Sequence, residues 1–361
     1  LVDAGREWRE SQRQVLLVAR ELGRKGYPAQ IVGEPGSELL RQAAAEGLSA
    51  IGLRMRGRLG WLTRRALVRA MRARGCKLVH FHDTLSAGLG LAAAAVASVP
   101  LRFLTRSADS SPLEGRLPLA ALDAVIAGSE GVRSILLRGG VAEDRIEVVP
   151  LGVDYSRFTS AAPDEALRRA LGAGPDDFLV GAVIPLEDER GHDALLEAAA
   201  LVAGQAPRIR FAVLGEGSLR LEAPEPENAR PMDNVRYHLG FRADAPRLLA
   251  SLNMFLVFSH LDGLGAQLVE AMAAGLPVAA ADVGRARDLI THRENGLLVP
   301  ARNARALADA VLKAHFDRNL AARLAARGRE TVLERYSAEA MARRIIGVYE
   351  WRAHRKGLKI G

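Results

Sequence analysis

Short apolar runs alternate with amphipathic stretches along almost the whole chain. In the first half, buried strands are predicted at residues 29–32, 78–82, 101–105, 124–127 and 146–149. In the second half, they are predicted at residues 178–184, 209–214, 235–239, 254–258 and 277–280. Most segments between them have the spacing of helices. Strands that alternate with helices indicate right-handed βαβ units and parallel sheets.

Glycine and serine positions predict where several of these helices begin and end. A helix that includes Val15 is predicted to end at Gly23, and a second helix is predicted to end at Gly47. Ser129 lies in an N-cap position before another helix. A helix is also predicted to begin at Asp193, and a long one covers residues 337–354. These signals give most of the strands a helical neighbour.

The strand–helix rhythm is interrupted near residues 152–175, and this predicts a domain boundary. The 361 residues are enough for two cores. We therefore expect an α/β protein with two Rossmann-like, doubly wound parallel-sheet domains that face a cleft, at residues 1–155 and 156–335. Residues 336–361 are expected to form a helix that crosses back to the first domain. Doubly wound sheets bind ligands at the carboxyl ends of their strands, so functional residues are expected there.

Composition narrows the cellular setting and the chemistry. Cys76 is the only cysteine, which excludes an internal disulfide and is typical of a reducing compartment. The chain opens without an apolar signal segment and has no apolar run long enough to span a bilayer. A cytoplasmic protein is the expectation from these observations.

The net charge of +8 suggests an anionic partner, and its distribution suggests where that partner binds. Nine basic residues and no acidic ones lie between Arg54 and Lys77, with Trp61 and Leu62 among them. One interpretation is a basic amphipathic helix that binds an anionic membrane surface. The other is a solvated helix whose apolar side packs on the sheet. Nucleic acid is not the expected partner, because aromatic stacking platforms are missing.

The turn after the strand at residues 254–258 carries the first candidate for chemistry. Gly263 and Gly265 precede a helix, and a helix start favours an anion such as a diphosphate. Glycine lets a phosphate approach the backbone. Asp262 and Glu270 bracket the turn, and their carboxylates are good acceptors for sugar hydroxyls. The other interpretation of these residues is an ordinary βα turn with surface acids.

An ordered series of short motifs surrounds this turn. Its members are Gly152-Val153-Asp154, Gly181-Ala182-Val183, Arg190-Gly191-His192-Asp193, Gly215-Glu216-Gly217, Leu239-Gly240-Phe241-Arg242, Gly275-Leu276-Pro277-Val278, Asp282-Val283-Gly284 and Asn295-Gly296-Leu297-Leu298-Val299-Pro300. In this order they resemble the retaining glycosyltransferase family 4, which has the GT-B fold. The resemblance covers nearly the whole chain. The segments at residues 3–9 and 79–83 look like those of members that act on bacterial envelope glycans.

The resemblance implies roles for individual residues on the donor side. Asp262 would contact the transferred sugar, Glu270 would hold the ribose, and Arg190 would grip the diphosphate. These three are the expected catalytic residues. The backbone of Gly263, Leu264 and Gly265 would donate to the diphosphate or sugar, and Gly240, Phe241 and Arg242 would lie by the nucleotide base.

The resemblance also implies contacts from the first domain. Glu10 and Ser11 would lie in the first loop, near the donor, and Arg106 would contact donor or acceptor. His82, at the end of a strand, is a candidate to contact the acceptor, and we expect it on the strand face opposite His80. A structural role for His82 is the alternative.

Four departures from the family pattern fall in the expected donor pocket. Glu10-Ser11 replaces a Gly-Gly pair, Pro185 replaces an arginine, and Asp262 replaces a glutamate. Gly284-Arg285 stands where a second Gly-Gly pair is usual. The loss of one charge-assisted phosphate contact costs roughly 1.5–3 kcal/mol, and Arg285 or Arg287 is a candidate to compensate.

The expected function is therefore a retaining glycosyltransferase. It would move a sugar from a UDP-, GDP- or ADP-sugar to a glycan or lipid-linked acceptor of bacterial lipopolysaccharide or another envelope glycan. No metal or cofactor is expected, since the chain has no Asp-x-Asp pair in a loop. The enzyme would be cytoplasmic, or peripheral on the inner face of the plasma membrane. The alternative is a degenerate family member that binds a sugar nucleotide or a partner with little or no transfer.

Overall fold

The structure of the protein, a computed structural model, describes residues 1–55, 60–107, 117–184, 188–215, 234–239, 245–258 and 265–360. The chain forms two compact units. Unit 1 comprises Leu1–Gly152 and Tyr336–Gly361, and unit 2 comprises Val153–Arg335. The sequence pattern had placed the corresponding bounds after residues 155 and 335.

The described residues contain the following elements in chain order. The helices are α1 (Glu10–Arg24), α2 (Glu38–Ala45), α3 (Gly60–Ala73), α4 (Thr84–Val96), α5 (Glu130–Arg138), α6 (Tyr155–Thr159), α7 (Glu165–Ala170), α8 (Glu189–Ala203), α9 (Ala245–Ala250), α10 (Gly265–Ala274), α11 (Gly284–Leu289), α12 (Ala304–Phe316), α13 (Arg318–Arg335) and α14 (Ala338–Arg355). The strands are β1 (Ile31–Gly33), β2 (Ala50–Gly52), β3 (Leu78–Phe81), β4 (Leu101–Arg106), β5 (Ala124–Ala127), β6 (Ile146–Val148), β7 (Phe178–Val183), β8 (Ile209–Gly215), β9 (Val235–Leu239), β10 (Met254–Val257), β11 (Val278–Ala281) and β12 (Leu297–Val299).

Unit 1 is built on parallel strands in the order β2-β1 and β3-β4-β5-β6. Val2 joins the two groups, because it forms parallel bridges to Val32 in β1 and to Phe81 in β3. Leu67 of α3 and Leu91 of α4 pack on one face of the sheet. Val18 of α1 and residues of α14 pack on the other. All the carboxyl ends of these strands therefore meet at one edge.

Unit 2 contains a six-stranded parallel sheet in the order β12-β11-β10-β7-β8-β9. Helices α8 and α12 pack together on one face, where Leu195 and Val311 join the sheet's core. Helix α10 packs against β10, α6 and α9 outside that cluster. The neighbours β7 and β10 are not consecutive along the chain, so the strand order reverses between them. Such a reversal is where open α/β sheets bind ligands.

Several sequence predictions of helix ends are confirmed and others are wrong. Ser129 Oγ accepts a hydrogen bond from the N–H of Val132 at 3.1 Å, and Gly47 has φ of +69° after α2. Helix α1, however, passes through Gly23 and ends near Gly26, which has φ of +80°. Helix α8 begins at Glu189 rather than at residue 193, so Arg190 lies in its first turn.

A membrane-spanning helix was not expected from the sequence. Within the residues that the structure describes, no helix has the length and apolar character needed to cross a bilayer.

Candidate functional site

The carboxyl edge of the unit 2 sheet holds two helix starts on either side of the strand reversal. β7 leads towards α8, and β10 leads towards α10. At the first of these starts, Asp188 is buried and its Oδ1 accepts a hydrogen bond from the N–H of Gly191 at 2.9 Å. A Cβ on Gly191 would lie 2.8 Å from Asp188 Oδ2, so a side chain there would collide with this cap. Asp188 is therefore the N-cap of α8, the helix that carries Arg190.

The second helix start is covered by a guanidinium. Gly265 is the first residue of α10 and is buried. A Cβ on Gly265 would lie 2.9 Å from Nε of Arg285, which belongs to α11. The partial positive charge of a helix start and the fixed charge of a guanidinium both favour an anion. Arg285 stands where the family usually has the second glycine of a Gly-Gly pair, so this departure adds a positive charge beside the start of α10.

Arg287, the other candidate to compensate, has a different environment. Its Nε lies 2.7 Å from Asp282 Oδ1 in an exposed ion pair. The hydrogen bond that Arg287 donates to the Asp282 carboxylate raises the pKa of Arg287 above its usual value. The structure thus places Arg285, and not Arg287, against the start of α10.

The structure describes some of the predicted donor-side residues, and the others lie outside the described ranges. Glu270 lies in α10, half-buried and five positions after Gly265. Arg190 lies in the first turn of α8, with its backbone described. The remaining donor-side predictions fall outside the described residues: Pro185, Gly240, Phe241, Arg242, Asp262, Gly263 and Leu264. Among these residues, the structure brings Arg285 against the start of α10, and Glu270 lies further along the same helix.

Glu10 and Ser11 were expected in a loop, and this placement is wrong. They are the first two residues of α1. The Glu10 carboxylate accepts a hydrogen bond from Gln14 Nε2 and lies 3.2 Å from Nη2 of Arg13. The helix extends this far because its own next turn supplies partners for the carboxylate.

Gln14 is a site neighbour that the sequence analysis missed. Its Nε2 donates to the carbonyl of Gly152 at 2.8 Å, and its Oε1 accepts from the Gly152 N–H at 3.0 Å. Both partners are buried. The first turns of α1 are thereby joined to the last residue of the unit 1 segment Leu1–Gly152. A buried amide with two backbone partners leaves no signal in a single sequence.

His82 and His80 share one face of β3, and the expectation of opposite faces is wrong. Side chains two residues apart on a strand point the same way, and the two rings lie 4.2 Å apart. His80 Nδ1 is 2.5 Å from the hydroxyl of Tyr349, and its Nε2 is 2.7 Å from Oγ1 of Thr105. His82 is 4% exposed, and its ring nitrogens have no hydrogen-bond partner in the described part of the chain.

Burial sets the charge state of both histidines. Desolvation lowers the pKa of His82 to about 3, and it lowers the pKa of His80 well below its usual value. Both imidazoles are therefore neutral near pH 7. Arg106, the other predicted contact from this region, ends β4, and its Nη1 donates to Thr84 Oγ1 at 2.8 Å.

Two carboxylates, the half-buried Asp83 and the buried Glu34, join the loops at the carboxyl edge of unit 1. Asp83 Oδ2 accepts from the N–H of Ala4 at 2.7 Å, and its Oδ1 accepts from Ser86 at 2.8 Å. Glu34 is 1% exposed, and its Oε2 accepts from the N–H of Met55 at 2.7 Å. These carboxylates fix the loops that follow β1 and β3, so they shape this edge of the sheet.

Comparison with known proteins places this geometry in a family. The family model described as "Glycosyl transferases group 1" matches residues 163–331, and the one described as "Glycosyltransferase Family 4" matches residues 11–157. A D-inositol 3-phosphate glycosyltransferase of Xylanimonas cellulosilytica is 30% identical over 305 residues, which are 75% of this chain and 71% of that one. The chain belongs to glycosyltransferase family 4. The family predicted from the motifs is confirmed.

Other members of glycosyltransferase family 4 that match include an envelope enzyme. The lipopolysaccharide core biosynthesis mannosyltransferase LpsB of Rhizobium meliloti is 28% identical over 218 residues, which are 56% of this chain and 60% of LpsB. Among solved structures, Anabaena HepE in complex with UDP superposes with a TM-score of 0.74 at 19% identity, over 97% of this chain and 98% of HepE. A glycosyltransferase from Rickettsia africae gives a TM-score of 0.75 at 18% identity, over 97% of each chain. These likenesses confirm the predicted GT-B fold with two Rossmann-like parallel-sheet domains.

Proposed function

We propose that this family 4 member is a retaining transferase that moves a sugar from a nucleotide-diphosphate sugar to a glycan or lipid-linked acceptor. The observation that carries the proposal is the guanidinium of Arg285 against the start of α10. It lies in the part of the chain that matches the group 1 model, beside the strand reversal of the sheet. A diphosphate is the anion that such a site in a glycosyltransferase would bind.

The donor is proposed to span the carboxyl edge of the unit 2 sheet. Its diphosphate would be held by the start of α10, Arg285 and Arg190. Its ribose would be held by Glu270, and its sugar by Asp262. The base would lie against residues 240–242. UDP-, GDP- and ADP-sugars are the candidate donors, and the UDP bound to HepE makes a UDP-sugar the first to test.

The proposed reaction breaks the bond between the anomeric carbon and the diphosphate oxygen. The acceptor hydroxyl oxygen forms its bond to that carbon from the same face, so the configuration is retained. The hydroxyl proton passes to the departing diphosphate, which takes up the electron pair of the broken bond. Arg190, Arg285 and the start of α10 stabilise the negative charge that develops. The step uses no metal and no nucleophile from the protein.

Unit 1 is proposed to contribute the acceptor side. Arg106 and His82 lie at the carboxyl edge of its sheet, while Glu10 and Ser11, at the start of α1, would lie near the donor diphosphate. LpsB is a mannosyltransferase of lipopolysaccharide core biosynthesis, and its similarity to this chain supports an acceptor in lipopolysaccharide core or another envelope glycan. An acceptor of that kind suggests an enzyme in the cytoplasm or peripheral on the inner face of the plasma membrane, with residues 54–77 towards the anionic surface.

Calorimetric titration with UDP-, GDP- and ADP-sugars tests the donor assignment. We expect one of them to bind, and we expect Glu270→Ala to weaken its binding at least tenfold, because the ribose loses a charged acceptor. Glu197→Ala is the matched control, since Glu197 is an exposed acid in the middle of α8. Equal affinity of the Glu270→Ala and wild-type proteins would refute the role of Glu270.

The same titration separates a donor-binding protein from a degenerate member that binds only a partner, and an assay of sugar transfer separates an enzyme from a member that binds the donor without transfer. The observation in favour of a degenerate member is that Pro185 and Glu10-Ser11 replace residues that other family members use at the diphosphate. Failure of all three donors to bind at millimolar concentration would support it. Where a donor binds, NMR of the product gives the anomeric configuration, and an assay with EDTA tests whether a metal is needed.

A further inference from the structure

Helix α3 presents an uncompensated row of arginines to solvent. Arg64, Arg65 and Arg69 are exposed, and no acidic residue lies in the helix. Within the described ranges, none of these three guanidiniums takes part in an ion pair or hydrogen bond. Elsewhere in unit 1, exposed arginines such as Arg24 and Arg41 contact a glutamate. The positive charge of α3 is therefore available to an external partner.

The same surface carries large apolar side chains that the fold leaves in water. Trp61 is 56% exposed and Leu62 is 45% exposed, at the beginning of α3. The side of α3 that packs on the sheet is supplied by other residues, namely Thr63, Leu67 and Met71. Packing on the sheet thus explains Leu67 and Met71 but leaves Trp61 and Leu62 without a structural role.

The neighbouring helix α4 extends the apolar part of this surface. Residues 84–96 contain no charged side chain, and Leu85 is 43% exposed. The helices run side by side, and their carboxyl ends are tied by the hydrogen bond from Arg72 Nη2 to the Val96 carbonyl at 2.7 Å. Because α4 follows β3, both helices begin at the carboxyl edge of the sheet. Trp61, Leu62 and Leu85 therefore lie at the edge that holds His82 and Arg106.

We propose that α3 and the first turn of α4 form a docking surface for an anionic lipid bilayer. The arginines of α3 would contact lipid headgroups, while Trp61, Leu62 and Leu85 enter the boundary with the acyl chains. A nucleic acid offers the same negative charge but no acyl region for two leucines. The inference rests on the proposed function, since it places the membrane beside the edge where a lipid-linked acceptor would be bound.

Sedimentation with vesicles tests the charge requirement. We expect the full chain to bind phosphatidylcholine vesicles that contain phosphatidylglycerol, and to bind less as salt is raised. Arg65→Glu with Arg69→Glu should weaken this binding at least about thirtyfold, because two attractive charges become repulsive. Arg323→Glu with Arg344→Glu is the matched control. It changes the net charge equally at exposed arginines of α13 and α14, and it should leave binding unchanged.

Fluorescence tests the apolar part of the surface and its location. The protein has three tryptophans, at positions 8, 61 and 351. We expect anionic vesicles to shift the emission to shorter wavelength, and we expect Trp61→Phe to remove most of this shift while Trp351→Phe retains it. Equal loss of binding in both double variants, or a shift that survives Trp61→Phe, would overturn the proposal. So would binding to single-stranded DNA as tight as binding to the vesicles.

The result can be separated from the test of the proposed function. Arg65 and Arg69 lie in unit 1, and donor titration needs no vesicles, so the double variant should retain nucleotide-sugar affinity. Donor binding without vesicle binding would refute the docking surface and leave the transferase assignment intact. Vesicle binding without donor binding would do the reverse.

Discussion

Helices α3 and α14 are both rich in arginine and both belong to unit 1, yet their arginines are used differently. In α14, Arg352 is buried and donates through Nη2 to the carbonyl of Asp144 and to Glu147 Oε1, the latter at 3.3 Å. In α3, the arginines other than Arg72 are exposed and make no contact of this kind among the described residues. The charge of Arg352 therefore helps to hold α14 in place, whereas the charges of the exposed arginines of α3 are available to a partner.

The comparison extends to the apolar side chains of the two helices. Ile345 and Tyr349 of α14 are buried against Phe103 of the sheet, and Tyr349 also bonds to His80. The corresponding inward residues of α3 are buried too, but Trp61 and Leu62 are left outside. The net charge of +8 indicates function only once the arginines that make structural contacts are distinguished from those that remain unpaired on the surface.

Acid should have the largest effect on the attachment of α14. His80 and His82 are neutral in the folded state because burial lowers the pKa of each, to about 3 for His82. The unfolded chain takes up these protons below about pH 6.5, so the stability that the neutral rings allow is present above that pH and is lost as pH falls towards 3. Between pH 7 and 4.5, His82 alone should cost on the order of 3 kcal/mol, and His80 acts in the same direction.

Urea titrations at pH 7 and 4.5 measure this loss in unit 1 alone, because all three tryptophans lie there. His82→Phe should make the loss smaller by roughly 3 kcal/mol, since one buried titrating ring is removed. His354→Gln, at an exposed position of α14, is the control and should leave the pH dependence unchanged. A loss equal in the His82→Phe and wild-type proteins would show that other groups drive acid unfolding.

Removal of the Arg352 side chain should have the next largest effect. Arg352→Ala leaves the Asp144 carbonyl and the Glu147 carboxylate without their guanidinium, and we expect it to lower the free energy of unfolding by about 2–3 kcal/mol. Urea unfolding monitored by tryptophan fluorescence measures the change. Arg344→Ala, at an exposed arginine of the same helix, should leave the midpoint unchanged. A similar result for both variants would remove the distinction between buried and exposed arginines in α14.

Most helices and strands were predictable because their signals are local, although the three-residue strands β2 and β12 were missed. Ser129, for example, caps α5 as its sequence position indicated. Helix α13 was missed because its apolar positions, Leu320, Leu324 and Val332, are widely spaced among alanines and arginines. The start of α8 was placed four residues late because the cap depends on the buried Asp188, and its burial is a tertiary property.

The candidate site was predictable only as far as linear motifs extend. The role of Glu270 was implied by the resemblance to the family, and the structure places Glu270 in α10, five residues after Gly265. The contact of Arg285 with the start of α10 joins two helices, so no spacing rule predicts it. The same holds for Gln14 and Gly152, which are 138 residues apart along the chain. Contacts between residues that are far apart along the chain can be identified only from the three-dimensional structure.

The smallest expected effect on stability compares an exposed arginine from each helix. Arg343 of α14 lies 3.2 Å from Glu339 on the helix surface, and such i, i+4 pairs contribute no more than about 0.5 kcal/mol. Arg343→Ala and Arg69→Ala should therefore unfold in urea almost as the wild-type protein does. Stability cannot distinguish the two arginines, but vesicle binding should, because the charge of Arg343 is already balanced by Glu339 and that of Arg69 is not. Equal vesicle affinity of the two variants would mean that neutralisation within the helix does not decide which arginines a membrane can use.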